Sequence, residues 1–355
     1  MPNYESKKQQ CLRKEPFDRT DWLKPESIID KIGLRTLSGG LRVKNVHKLT
    51  EGALFLATFA VLLLMTLYIP VLGIVSNLFL ALPFIMFATK NDRKSSFVFF
   101  IGGLLISFIV GSILALPLTI LYGLTGIVLG DCIREKKSRV SGYIAGTLAF
   151  LIVTILTYAV TVTFFNIDII KESIQTIKLS MDQSKEILGS LGQTPDPKMM
   201  EQFEMGIDML ETLVPSLFVM SSILVVMIIE LVSFPIAKRL GVAIPKWSPF
   251  RELQLPKSLL WYYLGVLVAS LIFNPEEGTF WYTALINLAF VLQLFMVLQG
   301  LSLIYYFSYQ KGYPKALPII MTVLTILVPF LLSIVRILGI IDLGFDFRKR
   351  ISEKK

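Results

Sequence analysis

The sequence predicts an all-α fold: a polytopic transmembrane helical bundle of about eight or nine apolar segments, with an extracytoplasmic helical hairpin. Three observations predict it. Hydrophobic residues make up 54% of the 355 and charged residues only 17%, against ~45–50% and ~25% in ordinary soluble domains. The apolar residues fall in long blocks, and a bilayer core takes about 20 of them as a helix. Between the blocks, short loops rich in Lys and Arg alternate with loops that lack them.

The blocks in order are Gly52–Ile69, Val71–Thr89, Phe97–Leu116, Pro117–Asp131, Val140–Phe165, Leu213–Pro235, Leu259–Phe273, Phe280–Tyr309 and Ala316–Ile341. The fourth and seventh are short, which predicts re-entrant or broken helices there. Pro70 and Pro117 sit at junctions, where the missing N–H costs little, and Pro329 lies inside the last block, where it kinks a helix. Lys90, Arg93 and Lys94 lie in one loop; Arg134, Lys136, Lys137 and Arg139 in a second; Lys238, Arg239, Lys246, Arg251 and Lys257 in a third. The positive-inside bias puts these loops and the amino terminus on one side, read as cytoplasmic, with the protein expected in the plasma membrane. Nine crossings would leave the tail Arg348-Lys349-Arg350 outside, against that bias. Two readings restore it: the last block folds back at Pro329, or one short block does not cross.

On the opposite side lies 166–212, with nine acidic residues against four lysines. Ile170, Ile174, Ile177, Met181, Leu188 and Leu191 repeat at helical spacing, as do Met200, Phe203, Ile207, Leu210 and Val214. The breaker-rich turn Gly192–Pro197 separates them. Two helices packed as an antiparallel hairpin are expected, as a stalk or as a lid.

The domain reading is therefore 1–42 as a polar extension, 43–240 as a six-segment transporter-like core that includes the hairpin, 241–258 as a cytoplasmic loop, and 259–355 as carboxy-terminal membrane segments with a basic tail. Residues 1–42 carry nine Lys/Arg and six Asp/Glu, with no apolar h-region of a signal peptide. Val43 can be encoded by GTG, a bacterial start codon, and Gly39-Gly40 can encode a ribosome-binding GGAGG. Two readings stay open: a start at Val43, or a genuine cytoplasmic extension with a short helix near Pro25–Ile32.

The chemistry-bearing residues are few. There is one His, His47, and there are two Cys, Cys11 and Cys132. Most zinc sites need three or four N/S ligands, so no metal and no cofactor is expected, and no disulfide either. No phosphate loop, nucleophile elbow or zincin helix occurs, so no enzyme is expected. The positive charge is spread over several loops rather than one stripe, which argues against nucleic acid. Within the blocks, Glu230 is the possible intramembrane polar site, off centre and able to snorkel to the interface. Asn287, Gln293 and Gln299 are spaced for separate interhelical hydrogen bonds. Ala53 and Ala57, four apart, form a small-residue strip that lets a partner helix approach. Gly123, Gly126 and Gly130 form another, expected to pack internally.

Lys48-Leu-Thr-Glu-Gly-Ala-Leu54, Leu67-Tyr-Ile-Pro-Val-Leu-Gly73 and Leu82-Pro-Phe84 resemble the opening of the YybS-like family of uncharacterised bacterial membrane proteins. Lys238-Arg-Leu-Gly-Val-Ala-Ile-Pro245 with Ser248-Pro-Phe250, and Leu338-Gly-Ile-Ile-Asp342 with Phe345-Asp-Phe-Arg-Lys349, extend the match over roughly 43–350. The first six segments are similar, more distantly, to the substrate-capturing subunits of energy-coupling-factor transporters. That resemblance implies a membrane coupling subunit as partner, met through Ala53 and Ala57. The three carboxy-terminal segments depart from the six-helix pattern. The expected function is a transporter-like subunit that binds an unidentified small molecule or partner helices. The alternative is a membrane scaffold or regulatory subunit with no transported ligand.

Overall fold

The computed structural model describes residues 40–190, 196–345 and 348. Their regular structure is helical, with no strand among the described residues. The helices are α1 (Gly40–Tyr68), α2 (Pro70–Asn77), α3 (Leu82–Lys90), α4 (Arg93–Arg134), α5 (Arg139–Phe165), α6 (Ile169–Ser190), α7 (Pro197–Thr212), α8 (Val214–Arg239), α9 (Ser258–Phe273), α10 (Phe280–Gln310), α11 (Ala316–Leu327) and α12 (Pro329–Phe345). The chain divides into two units, Met1–Leu54 and Phe55–Lys355. The described part of the first is the opening of α1. The possible start at Val43 and the short helix near Pro25–Ile32 concern 1–39 and their edge, and 1–39 lie outside the described residues.

Six helical spans among the described residues are long and apolar enough to cross a membrane, or seven if the bent pair α11–α12 counts as one. The expected count of eight or nine segments is not matched by length and apolarity alone, and each difference has a local cause. Two expected blocks are joined in α4, which is 42 residues long, about twice what a bilayer core needs. α9 has 16 residues, or roughly 24 Å at 1.5 Å per residue, short of the ~30 Å core. In the last block the backbone turns by 118° between α11 and α12. Val328 is extended there, with φ −115° and ψ 106°, because the ring of Pro329 disfavours the helical region for the residue before it.

α4 folds back on itself. Gly111 and Ser112 leave helical geometry, and Ser112 takes φ 56°, a region that costs an L-residue energy. The reversal is thus at Gly111–Ser112 rather than at the expected Leu116–Pro117 junction. Beyond it the two limbs run antiparallel: the Ser107 and Thr119 hydroxyls meet, Phe100 faces Gly123, and Arg93 reaches Asp131 at 2.8 Å. The second limb lies against α3. A Cβ on Gly126 would stand 2.8 Å from the Ala81 carbonyl oxygen, and one on Gly130 2.6 Å from that of Ile85. The glycine face of 123–130 is therefore internal packing, as expected from the spacing.

Around Phe84 the rings of Phe59 and Phe99 pack edge-on at 4.9 and 5.3 Å, and Phe87 stacks on Phe99 at 4.2 Å. Phe59, Leu63, Leu80, Phe84 and Ile85 are fully buried. In a bilayer, lipid tails are as apolar as these side chains, so dispersion contacts and interhelical hydrogen bonds hold the helices together. A second core joins α9, α10 and α12 through Leu260, Tyr263, Leu292, Met296 and Leu343.

α6 and α7 lie between α5 and α8 in sequence. Lys178 and Lys185 of α6 meet Asp208 and Glu204 of α7 at 3.3 and 3.5 Å. The turn expected between them falls largely in 191–195, outside the described residues. Ahead of α6, Asp168 accepts from the Lys171 backbone N–H and the Tyr158 hydroxyl, both at 3.1 Å. The Lys171 N–H in particular holds the Asp168 carboxyl below its ordinary range. A depressed folded value means the cap contributes above the unfolded carboxylate pKa and is lost as pH falls through the lower folded one. Helicity should therefore decline in that acid window. Asp168→Asn should flatten the decline in circular dichroism; an unchanged acid profile would contradict the cap.

Candidate functional site

The residues with the most polar contacts converge on the connection between α8 and α9, residues 240–257. Pro245, Pro249 and Pro256 keep most of it out of helix, leaving backbone carbonyls free of intrahelical bonds. Two arginines, Arg139 half-buried and Arg348 buried, use those carbonyls.

The first is Arg139, at the start of α5, just after the Ser138 cap that accepts from the Ser141 N–H at 3.2 Å. Its Nε donates to Glu230 Oε2 at 3.0 Å, and its Nη1 donates to the Pro245 carbonyl at 3.2 Å. The guanidinium also lies 4.6 Å from the Phe234 ring centre and 5.3 Å from that of Trp247. Trp247 packs edge-on against Tyr143, whose hydroxyl donates to the Ile223 carbonyl at 2.7 Å. The Glu230 side chain is 2% exposed and that of Arg139 13%. Glu230, expected as a possible intramembrane polar residue, is thus buried and paired with a cation from another helix. A small pocket beside the pair is lined by Cys132, Lys137, Gly142 and Phe234 together with these two residues.

The second is Arg348, beyond α12. Its three donors reach three different elements: Asp342 Oδ2 at 2.9 Å, the Arg251 carbonyl at 2.8 Å and Ser302 Oγ at 3.0 Å. Asp342 also accepts from Gln299 Nε2 at 2.6 Å, while Gln299 Oε1 accepts from the Leu255 N–H at 3.0 Å. Ser302 Oγ donates toward the Phe250 and Leu253 carbonyls at 2.8 and 3.0 Å. Gln299, Ser302, Asp342 and Arg348 are all buried. Phe250 packs edge-on against Tyr305, and the Arg251 guanidinium lies 3.8 Å from the Tyr309 ring centre. The loop is thus strapped to α5 and α8 near one end and to α10, α12 and Arg348 near the other. Arg348 stands beside the loop.

At the other end of α10, Asn287 holds the α7–α8 junction. Its amide oxygen accepts from the Ser216 N–H at 2.8 Å, and its Nδ2 donates to the Thr212 carbonyl at 2.7 Å. Asn287 and Gln299 thus make separate interhelical bonds, as their spacing predicts. Ala53 and Ala57 are both exposed on α1, far in sequence from either cluster.

Sequence reasoning missed both arginines. Arg139 and Arg348 read as members of charge runs, and their acids stand outside the local windows in which charge runs are counted. The only local signal was that Asp342 and Arg348 fall in one of the sequence blocks that carry the family resemblance.

Arginine, carboxylate, amide and carbonyl groups in full mutual contact can hold backbone and transmit position. They offer no nucleophile–base pair. Among the described residues no three His, Cys, Asp or Glu side chains cluster closely enough to hold a metal.

Comparison with known proteins agrees in outline. The chain is 29% identical over 313 residues to "Uncharacterized protein YybS" of Bacillus subtilis (strain 168), covering 87% of this chain and 100% of that protein. No solved structure matches, and the likeness to energy-coupling-factor capture subunits is not shown by these comparisons. The model of a family described as "Predicted membrane protein (DUF2232)" matches residues 57–343, and the chain belongs to that family.

Proposed function

We propose that this protein is a non-catalytic scaffold or regulatory subunit of a bacterial plasma-membrane assembly, with its amino terminus in the cytoplasm, and that it binds the helices of another membrane protein. The observation that carries this reading is the filled core. A subunit that captures a small molecule needs a concave site of roughly 300–1,000 Å³ with a few convergent polar groups. Here the middle of the α1–α5 and α8 bundle is occupied by the rings and side chains around Phe84. The buried charges are spent on fixing the 240–257 loop. A subunit built this way presents its outer helical faces to others. The exposed Ala53 and Ala57 on α1 give one face that a partner backbone can approach closely.

The test is purification in a mild detergent with mass spectrometry of both co-purifying chains and small molecules. A membrane-protein partner in fixed stoichiometry, with no small molecule retained, is the expected result. A small molecule retained near one per chain would overturn the reading in favour of capture. Replacing both Ala53 and Ala57 with Leu should remove the partner and leave the protein monodisperse. Wild-type partner yield would move the contact to another face.

A further inference from the structure

We propose that Arg348 is a latch: α11 and α12 form a re-entrant pair, Arg348 lies on the same side of the membrane as the 240–257 loop, and it closes α12 onto that loop. The path of the chain argues for it. Ser302 of α10 binds the Phe250 and Leu253 carbonyls, so this end of α10 lies on the loop's side. The chain then enters α11, of 12 residues, turns by 118°, and leaves through α12, of 17. At 1.5 Å per residue these are roughly 18 and 25 Å long, neither of which spans a ~30 Å core. Beyond α12 the chain arrives at Arg348, whose Nη1 donates to the Arg251 carbonyl of the same loop. The pair begins and ends on one side.

The latch itself follows from how the donors are distributed. Arg348 touches α12, α10 and the loop at once, through Asp342, Ser302 and Arg251, and it is the charged member of a junction in which Gln299 of α10 also reaches Asp342 and the Leu255 N–H. If it withdraws, Asp342 keeps Gln299 but loses its only described cation, and the Arg251 carbonyl loses its donor. The Asp342 side chain is 2% exposed and that of Arg348 6%, and an unpaired buried carboxylate is unfavourable. The closed state is therefore held firmly, and the position of Arg348 is read out as the freedom of the loop.

Two measurements test this in the full chain with Cys11 and Cys132 replaced by Ser. In the first, single cysteines at Ser352 and at Ser248 are treated with an impermeant maleimide. Both should be protected in intact cells and both labelled in inverted vesicles. Labelling from opposite sides would overturn the re-entrant pair. In the second, a cysteine at the half-buried Leu253 reports loop opening in inverted vesicles. Arg348→Gln should raise its labelling rate at least about tenfold, as expected when a buried charge-assisted contact is lost. An unchanged rate in a folded variant would overturn the latch. If Arg348→Gln alone fails to fold, the double variant Asp342→Asn, Arg348→Gln removes both charges and should fold with the loop open. If neither variant gives monodisperse protein, Arg348 is a fixed strut and the latch is overturned.

Discussion

A single methyl group on Gly339 or on Gly300 should unfold the α9–α12 part of the protein. A Cβ on Gly339 would lie 1.9 Å from the Met296 carbonyl oxygen, and one on Gly300 2.0 Å from that of Val335. Both obstacles are backbone, so no rotamer change relieves them. The two helices would have to separate, and with them the hydrogen bonds from Gln299 to Asp342 and from Arg348 to Ser302. Overpacking a core typically costs about 1–3 kcal/mol, and more where the backbone must move. A membrane crossing of this kind depends on close approach, because dispersion falls off steeply as the helices part. Gly339→Ala should therefore lower the melting temperature of the detergent-solubilised protein by on the order of 10 °C or abolish monodisperse expression. Gly265→Ala on α9 is the matched control. Its added Cβ meets nothing within 4 Å, and the swap should be neutral or stabilise by up to about 1 kcal/mol through helix propensity. Equal melting temperatures for Gly339→Ala and Gly265→Ala would remove the crossing from the account of stability.

How much of this was legible in the sequence depends on the range of each interaction. The membrane class and most helix bodies were, since blocks of apolar residues of bilayer length leave few alternatives. The break at Pro329 was legible because proline acts on its immediate neighbour. The fold-back of α4 was legible as two segments but misplaced. Pro117 is the stronger breaker on paper, yet the backbone reverses at the Gly111–Ser112 pair inside an apolar block, a weaker break signal than proline. Pro117 is accommodated early in the returning limb. The Gly300–Gly339 crossing was not legible, because Gly300 is the one glycine of α10 and Gly339 stands five residues from Gly344 in α12, so neither forms a small-residue repeat at spacing four. Spacing rules detect motifs within one helix, and this motif is shared between two. The two arginines were hidden for the same reason. Arg139 stands 91 residues from Glu230, and a count of loop charges cannot tell a buried cation from a solvated one.

Removing one partner of the Arg139–Glu230 pair should cost far more than removing both. Arg139→Leu leaves Glu230, with its side chain 2% exposed, without its cation and the Pro245 carbonyl without its donor. Breaking a buried pair from one side typically costs about 3–5 kcal/mol, because a desolvated charge is left unmatched. Glu230→Leu should be somewhat milder. Arg139 retains the Pro245 carbonyl and the faces of Phe234 and Trp247, and a cation over such rings keeps roughly 0.5–2 kcal/mol. Replacing both with Leu removes both desolvation penalties and leaves an apolar contact of similar volume. Such replacements are often neutral or stabilising elsewhere. The double variant should therefore be more stable than Arg139→Leu alone, with a coupling energy of a few kcal/mol in a double-mutant cycle. It should nevertheless loosen the loop, because no donor then holds the Pro245 carbonyl and Trp247 loses its cation. Thermal melts give the first quantity. Limited proteolysis within 240–257 gives the second, with faster cleavage expected in the double variant than in the wild type at a temperature where both are folded. Simple additivity of the two single losses would show that the residues do not act as a pair. Wild-type cleavage in a stable double variant would show that the loop is held without Arg139.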